Sequence, residues 1–239
     1  MFFLINDEIE FIMGWSAKCA CSAIKWWFVE ISNIDVGSSS VHEVLGYGNT
    51  SWSRIKKRKI KAYEEYMKFI LIRDPYKRLI SGYVNKYVIE KAYKIKGWTN
   101  FEEFVEIMES DQNFRKINRH HFTPQTSEDF NKAMINNWKW DHILNVDTIT
   151  SDIDKVNKML NVNSNLVHHN KTPYKNKNIS SIRPYHMSNE LVLKYMPGYE
   201  YFYNKTIIDK VNNIYKNDFT YFEQFGFLFK PPIWYTCQT

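Results

Sequence analysis

Hydrophobic residues along the chain gather in a few short continuous runs and several longer stretches at helical spacing. Ile9-Glu-Phe-Ile-Met13, Met67-Lys-Phe-Ile-Leu-Ile72 and Trp140-Asp-His-Ile-Leu-Asn-Val146 are short and apolar, the pattern of buried strands. Each is followed by a helical pattern. Ala23 to Ile31 is the first, and Tyr76 to Lys91, with Leu79, Ile80, Tyr83, Val84, Tyr87 and Val88 in period, is the second. Ser151 to Leu160 is the third, with Ser151 or Asp152 as its cap. Met187 to Met196 and Asn204 to Tyr215 predict two more helices. Ser32 to Thr50 is rich in glycine and serine and reads as a surface connection. Asn161 to Pro184, polar and without period, reads as a long surface loop and a candidate substrate-facing lid. Neither an internal repeat nor a linker interrupts residues 1–239, so one domain is expected.

Composition places the chain among globular proteins, with 44% hydrophobic and 24% charged residues. Aromatic residues reach 17%, which serves a core by default and also suits a cleft that stacks on sugars or a purine. A net charge of +6 favours polyanionic partners: nucleotides, acidic or sulfated glycans, nucleic acid or anionic membrane. The basic run Arg54-Ile-Lys-Lys-Arg-Lys-Ile-Lys61 is either a solvated helix face or a contact for such a partner. Cys19, Cys21 and Cys237 are an odd set that suggests no disulfide framework and a reducing compartment. No window approaches the roughly eighteen consecutive apolar residues of a membrane span, and the start of the chain lacks a signal-peptide pattern. A cytoplasmic protein without stable membrane insertion is the expectation.

The candidate chemistry begins where the first predicted strand meets the first predicted helix, in Gly14-Trp-Ser-Ala-Lys18-Cys-Ala-Cys-Ser22-Ala-Ile-Lys25. Such a junction aims unpaired backbone N–H groups and the positive end of a helix at one point, a setting for phosphate or another oxyanion. Lys18 adds a mobile charge, and Ser22 can cap the helix or donate its hydroxyl to a ligand. A Walker loop needs glycine directly before Lys-Ser/Thr, whereas Lys18 precedes Ser22 by four residues, which disfavours an ordinary P-loop NTPase. Taken alone, the junction is equally an ordinary strand-to-helix turn.

A second junction follows the Met67–Ile72 run, where Arg73-Asp74-Pro75 opens a helix with proline in its favoured first turn. Ser81 lies three residues from Arg78 and four from Lys77, so these side chains can share a helix face. If the two strands are parallel neighbours, the two anion sites are adjacent and suit a bisphosphorylated nucleotide.

Together these motifs resemble those of sulfotransferases that use 3′-phosphoadenosine 5′-phosphosulfate (PAPS). Lys18-Cys-Ala-Cys-Ser22 is similar to the family's 5′-phosphosulfate loop, typically Pro-Lys-Cys-Ala-Cys-Ser/Thr in the carbohydrate branch, with Ala17 in place of proline. Ile72-Arg-Asp-Pro-Tyr-Lys-Arg-Leu-Ile-Ser-Gly-Tyr83 is similar to its 3′-phosphate motif. Arg119-His-His-Phe-Thr-Pro-Gln-Thr126 resembles the His-Trp-x-Pro-Gln segment of Golgi carbohydrate sulfotransferases of the chondroitin type, with Phe122 for tryptophan. That family's usual cysteine shortly afterwards is replaced by Ser127-Glu-Asp-Phe. Tyr215-Lys-Asn-Asp-Phe219 resembles its closing segment, so the likeness runs from Lys18 to Phe222.

The resemblance implies a three-layer, P-loop-like α/β fold with a mostly parallel sheet. It also implies transfer of a sulfuryl group from PAPS, as co-substrate, to a hydroxyl of a carbohydrate or glycan acceptor. Lys18, Cys19, Ala20, Cys21 and Ser22 would hold the 5′ side, with Lys18 also neutralising charge on the bridging oxygen. Arg73 and Ser81 would hold the 3′-phosphate, with Arg78 as a further candidate. His121 aligns with the family histidine and is the favoured base, His120 is its neighbour and alternative, and Glu43, Glu64 and Glu65 stay open. Metal-ligand spacings are missing, and Cys19 and Cys21 are too close together for a zinc site, so no metal is expected. Nucleic acid is the less favoured polyanion. The alternative function is a non-catalytic polyanion-binding protein that retains the nucleotide cradle.

Overall fold

The computed structural model describes residues 1–46, 60–91, 98–110, 119–126, 139–166 and 183–232. Residues 54–59 of the basic run, most of the Asn161–Pro184 loop with its His168-His169 pair, Ser127-Glu-Asp and Cys237 lie outside them. Chain contacts divide the protein into two compact units, Met1–Arg73 with Gln125–Lys171, and Asp74–Pro124 with Thr172–Thr239.

The first unit is built on a four-stranded sheet in the order β1-β2-β3-β4. β1 (Phe2–Asn6) pairs antiparallel with β2 (Phe11–Trp15), Phe2 opposite Trp15 and Asn6 opposite Phe11. β3 (Met67–Ile72) runs parallel to β2, with Gly14 opposite Ile70, and β4 (His142–Asn145) runs parallel to β3, with Ile72 opposite Asn145. The fold is therefore α/β with a mostly parallel sheet, as the strand–helix alternation requires.

β1 is an addition to the predicted strands, and it explains why the predicted Ile9–Met13 strand runs from Phe11 to Trp15. The side-chain carbonyl of Asn6 accepts from the N–H groups of Glu8 and Ile9 at 2.9 and 2.8 Å, so residues 7–10 form the turn between the strands. Gly14 then continues β2 where a side chain could not, because a Cβ there would lie 2.7 Å from the Trp140 ring.

α1 (Cys21–Ile31) packs Ile24, Trp27, Phe28 and Ile31 into one cluster with Phe11 and Met13 of β2 and Phe69 and Leu71 of β3. Trp27 and Phe28 are fully buried, each contributing about 2–3 kcal/mol relative to exposure. The Trp27 indole donates to Asn157 Oδ1 at 2.8 Å, tying α1 to a later helix over Ile149–Leu160.

The predicted surface connection after α1 contains a short helix, α2 (Val41–Leu45). Ser40 accepts from Glu43 N–H at 3.2 Å and its own N–H donates to the Glu43 carboxylate at 2.7 Å, a reciprocal cap. The Ile149–Leu160 helix starts two residues before the predicted boundary, and neither Ser151 nor Asp152 is its cap: Thr148 holds that position. Asp152 instead accepts from Asn145 N–H and the Thr148 hydroxyl, anchoring the first turn to the end of β4.

The second unit is helical. Pro75–Tyr83 forms α3, which continues as a π-helical segment over Val84–Ile89. It is followed by α4 (Phe101–Ser110) and α5 (Arg119–Phe122); with the Ile149–Leu160 helix counted as α6, α7 (Asn189–Tyr195), α8 (Lys205–Ile214) and α9 (Lys216–Glu223) complete the unit. Its core is aromatic: Tyr83, Tyr87, Phe101, Phe104, Phe122, Phe202, Tyr203 and Tyr215 are buried together. Tyr87 meets Trp98 edge to face at 4.7 Å and stacks on Phe122 at 5.6 Å. These rings fill the core rather than line a sugar-stacking cleft. None of the described helices is long and apolar enough to cross a membrane.

Candidate functional site

β2 ends at Trp15, and α1 begins after five intervening residues, at Cys21. Cys19 N–H donates to Ser16 O at 3.1 Å, closing a tight turn. Lys18 (φ 68°) and Ala20 (φ 49°, ψ 34°) both adopt the left-handed conformation that costs a non-glycine residue about 1–2 kcal/mol. Alternation of this kind folds successive amides toward one concavity that accepts an anion. Ala20 is the N-cap of α1, so no side chain caps the helix, and its first turn carries no acidic residue. Ser22 lies inside the helix and is not its cap. The N–H groups of Cys21, Ser22 and Ala23 therefore lack intrahelical acceptors. An ordinary strand-to-helix turn closes this position with Ser, Thr, Asp or Asn; here Ala20 supplies no such side chain.

Because β2 and β3 are parallel neighbours, Arg73 leaves β3 at the same sheet edge as this loop. Its Nη1 donates to the Lys18 carbonyl at 2.8 Å. Its Nε is buried and has no hydrogen-bond partner among the described residues. Gln125, only 2% exposed, secures the arrangement. Its side-chain carbonyl accepts from Arg73 N–H at 2.9 Å and the Cys19 thiol at 3.1 Å, while its NH₂ donates to Arg73 O at 2.8 Å. One amide thus holds the end of β3 and the loop together. Gln125→Leu leaves the Arg73 peptide and the Cys19 thiol without partners, and a loss of about 2–4 kcal/mol is expected from urea unfolding. A loss below about 0.5 kcal/mol would show that the bracket carries no stability.

A third contact set reaches the loop from α2. The Ser22 hydroxyl and His42 Nε2 are 2.8 Å apart, and Lys25 Nζ lies 3.1 Å from His42 Nδ1. Lys25 also donates to Gly46 O and sits 4.9 Å above the Trp15 ring. It is buried, which lowers its pKa, with the charge of Cys21 opposing the shift. Glu43, one of the open base candidates, is engaged in the α2 cap, where the Ser40 N–H holds its pKa below the ordinary carboxylate value. Glu64 and Glu65 are exposed.

The remaining predicted site residues belong to the second unit. Asp74 caps α3 through Tyr76 N–H at 2.8 Å with Pro75 in the first turn, so the Arg-Asp-Pro sequence is itself a helix start. Arg78 and Ser81 are buried on α3, one turn apart. Gly82 allows Phe122 of α5 to approach, since a Cβ there would meet its ring at 2.7 Å. His121 is half-buried with its ring 6.3 Å from that of Phe122, and the His120 side chain lies outside the description. The Tyr215 hydroxyl donates to Phe122 O at 2.8 Å, so the closing Tyr-x-x-Asp-Phe segment serves to hold the backbone of the histidine motif.

The first unit thus brings Lys18, Cys19, Ala20, Cys21, Ser22 and Arg73 together. Lys25, His42 and the bracketing role of Gln125 are not among the site features that the sequence predicts. Lys25 had a signal, a lysine on a helix face otherwise made of Ile24, Trp27 and Phe28. His42 had none, because nothing local links it to a loop twenty residues earlier.

No curated protein and no solved structure matches the chain. The sequence model described as the sulfotransferase family does match, over residues 2–225, a span that holds the loop, Arg73 and Gln125 alike, and the chain accordingly belongs to the sulfotransferase family.

Proposed function

We propose that this member of the family transfers a sulfuryl group from PAPS to a hydroxyl of a carbohydrate acceptor. The observation that carries the reading is the uncapped start of α1, with left-handed Lys18 and Ala20 before it and Arg73 at the same sheet edge. That set of donors fits a phosphosulfate: backbone N–H groups for its oxygens, an ammonium for the bridging oxygen, and a guanidinium with a buried N–H to spare.

In the transfer, the bond from sulfur to the bridging oxygen breaks, sulfur bonds to the acceptor oxygen, and the hydroxyl proton passes to a base. Charge accumulates on the bridging oxygen as that bond lengthens, and neutralising it is the role proposed for Lys18. The amides of Cys21 and Ser22 orient the 5′ group, and the family likeness assigns the 3′-phosphate to Arg73, Ser81 and Arg78. His121 is the proposed base and His120 its alternative. Lysine, arginine and backbone N–H groups supply the positive charge the reaction needs.

The test combines calorimetric binding of PAP, the desulfated donor, with transfer of label from radiolabelled PAPS to a panel of glycans. PAP binding with label on a glycan is the expected result. PAP binding without transfer to any acceptor would favour a non-catalytic polyanion-binding protein, and transfer only to non-carbohydrate hydroxyls would overturn the acceptor class.

A further inference from the structure

We infer that Lys25 and His42 set the direction of the Ser22 hydroxyl, so that Ser22 donates its proton to the anion at the start of α1. The inference rests on the donor reading above and gives this chain two positioning residues that lie in none of the motifs that carry the family resemblance. Lys25 is 1% exposed. A charged ammonium has three donors and no acceptor. Three groups receive it here: the Gly46 carbonyl, the face of Trp15 and His42 Nδ1. His42 Nδ1 is then the acceptor of that pair, which assigns the ring proton to Nε2. Nε2–H in turn donates to Ser22 Oγ at 2.8 Å.

The consequence falls on Ser22. With a lone pair occupied by His42, its own O–H is turned away from the imidazole. Ser22 stands in the first turn of α1, where the free N–H groups collect, so its O–H joins them as a donor. Without the imidazole, a serine in a helix turns its hydroxyl back to a carbonyl one turn earlier and is lost to the ligand. The reciprocal cap of Ser40 and Glu43 holds the five-residue helix that carries His42, and so serves the same end.

The test is calorimetric binding of PAP to the full chain and its variants. His42→Ala should weaken PAP about tenfold, the loss of one charge-assisted hydrogen bond. His42→Gln, whose amide nitrogen reaches the place of Nε2, should recover most of that loss. His42→Asn, which imitates only the Nδ1 side, should not. In a Ser22→Ala background, His42→Ala should cost nothing further. Equal loss in both backgrounds, or recovery by Asn in place of Gln, would overturn the relay and leave His42 a structural partner of Lys25. Far-ultraviolet circular dichroism confirms that each variant is folded. Failure of the parent chain itself to bind PAP would overturn the donor reading, a result distinct from any of these.

Discussion

Lys18→Ala is expected to lower sulfuryl transfer by about two to three orders of magnitude, the range for losing one preorganised group that stabilises transition-state charge. The fold is expected to survive. The proposed role of Lys18 belongs to its ammonium, while its backbone carbonyl holds Arg73 Nη1, and the substitution leaves that carbonyl in place. Lys18→Gly separates the two roles. Glycine removes the strain of φ 68°, so this variant should unfold at a higher urea concentration, by about 1 kcal/mol, and still be inactive. A Lys18→Ala protein with full transfer activity would remove Lys18 from the mechanism.

Arg73→Ala should raise KM for PAPS by about ten- to a hundredfold, the scale of a charge-assisted contact to phosphate, and should lower kcat as well. The second effect comes from the structure. The family likeness implies a purely binding role for Arg73, but Nη1 also fixes the Lys18 carbonyl, so its loss frees the residue proposed to meet the bridging oxygen. Arg73→Lys should not restore activity. One ammonium cannot hold that carbonyl and also present a planar pair of donors to phosphate. Steady-state kinetics with varied PAPS decide the matter: an unchanged KM would overturn the phosphate role, and an unchanged kcat would show that the Lys18 contact is incidental.

The strand Met67–Ile72 and the helix start at Pro75 were readable because their signals are local. A run of five or six apolar residues makes a buried strand, and a proline directly after Asp74 is favoured in the first turn of a helix. The Ser40-x-x-Glu43 cap was equally local, and the glycine and serine around it masked it. Asn100-x-x-Glu103 was a similar signal for α4, where Asn100 accepts from Glu103 N–H at 3.0 Å. β1 was harder, because a five-residue apolar run at the start of a chain declares neither its partner nor its direction. An Asx turn at Asn6 decided both.

The sequence by itself determined the chemistry available to this protein: a lysine-bearing loop before a helix, an arginine after the next strand, and the order of motifs that marks the family. Those features are written in adjacent residues, whose propensities and spacing act over one or two turns of chain. Only the tertiary structure decided that β2 and β3 are parallel neighbours, that Ala20 and not Ser22 begins α1, and that Gln125 and His42 reach the loop from 106 and 20 residues away. Contacts of that kind come from the packing of the sheet and its helices, which no local pattern encodes. They hold the loop, Arg73 and Ser22 in one fixed arrangement.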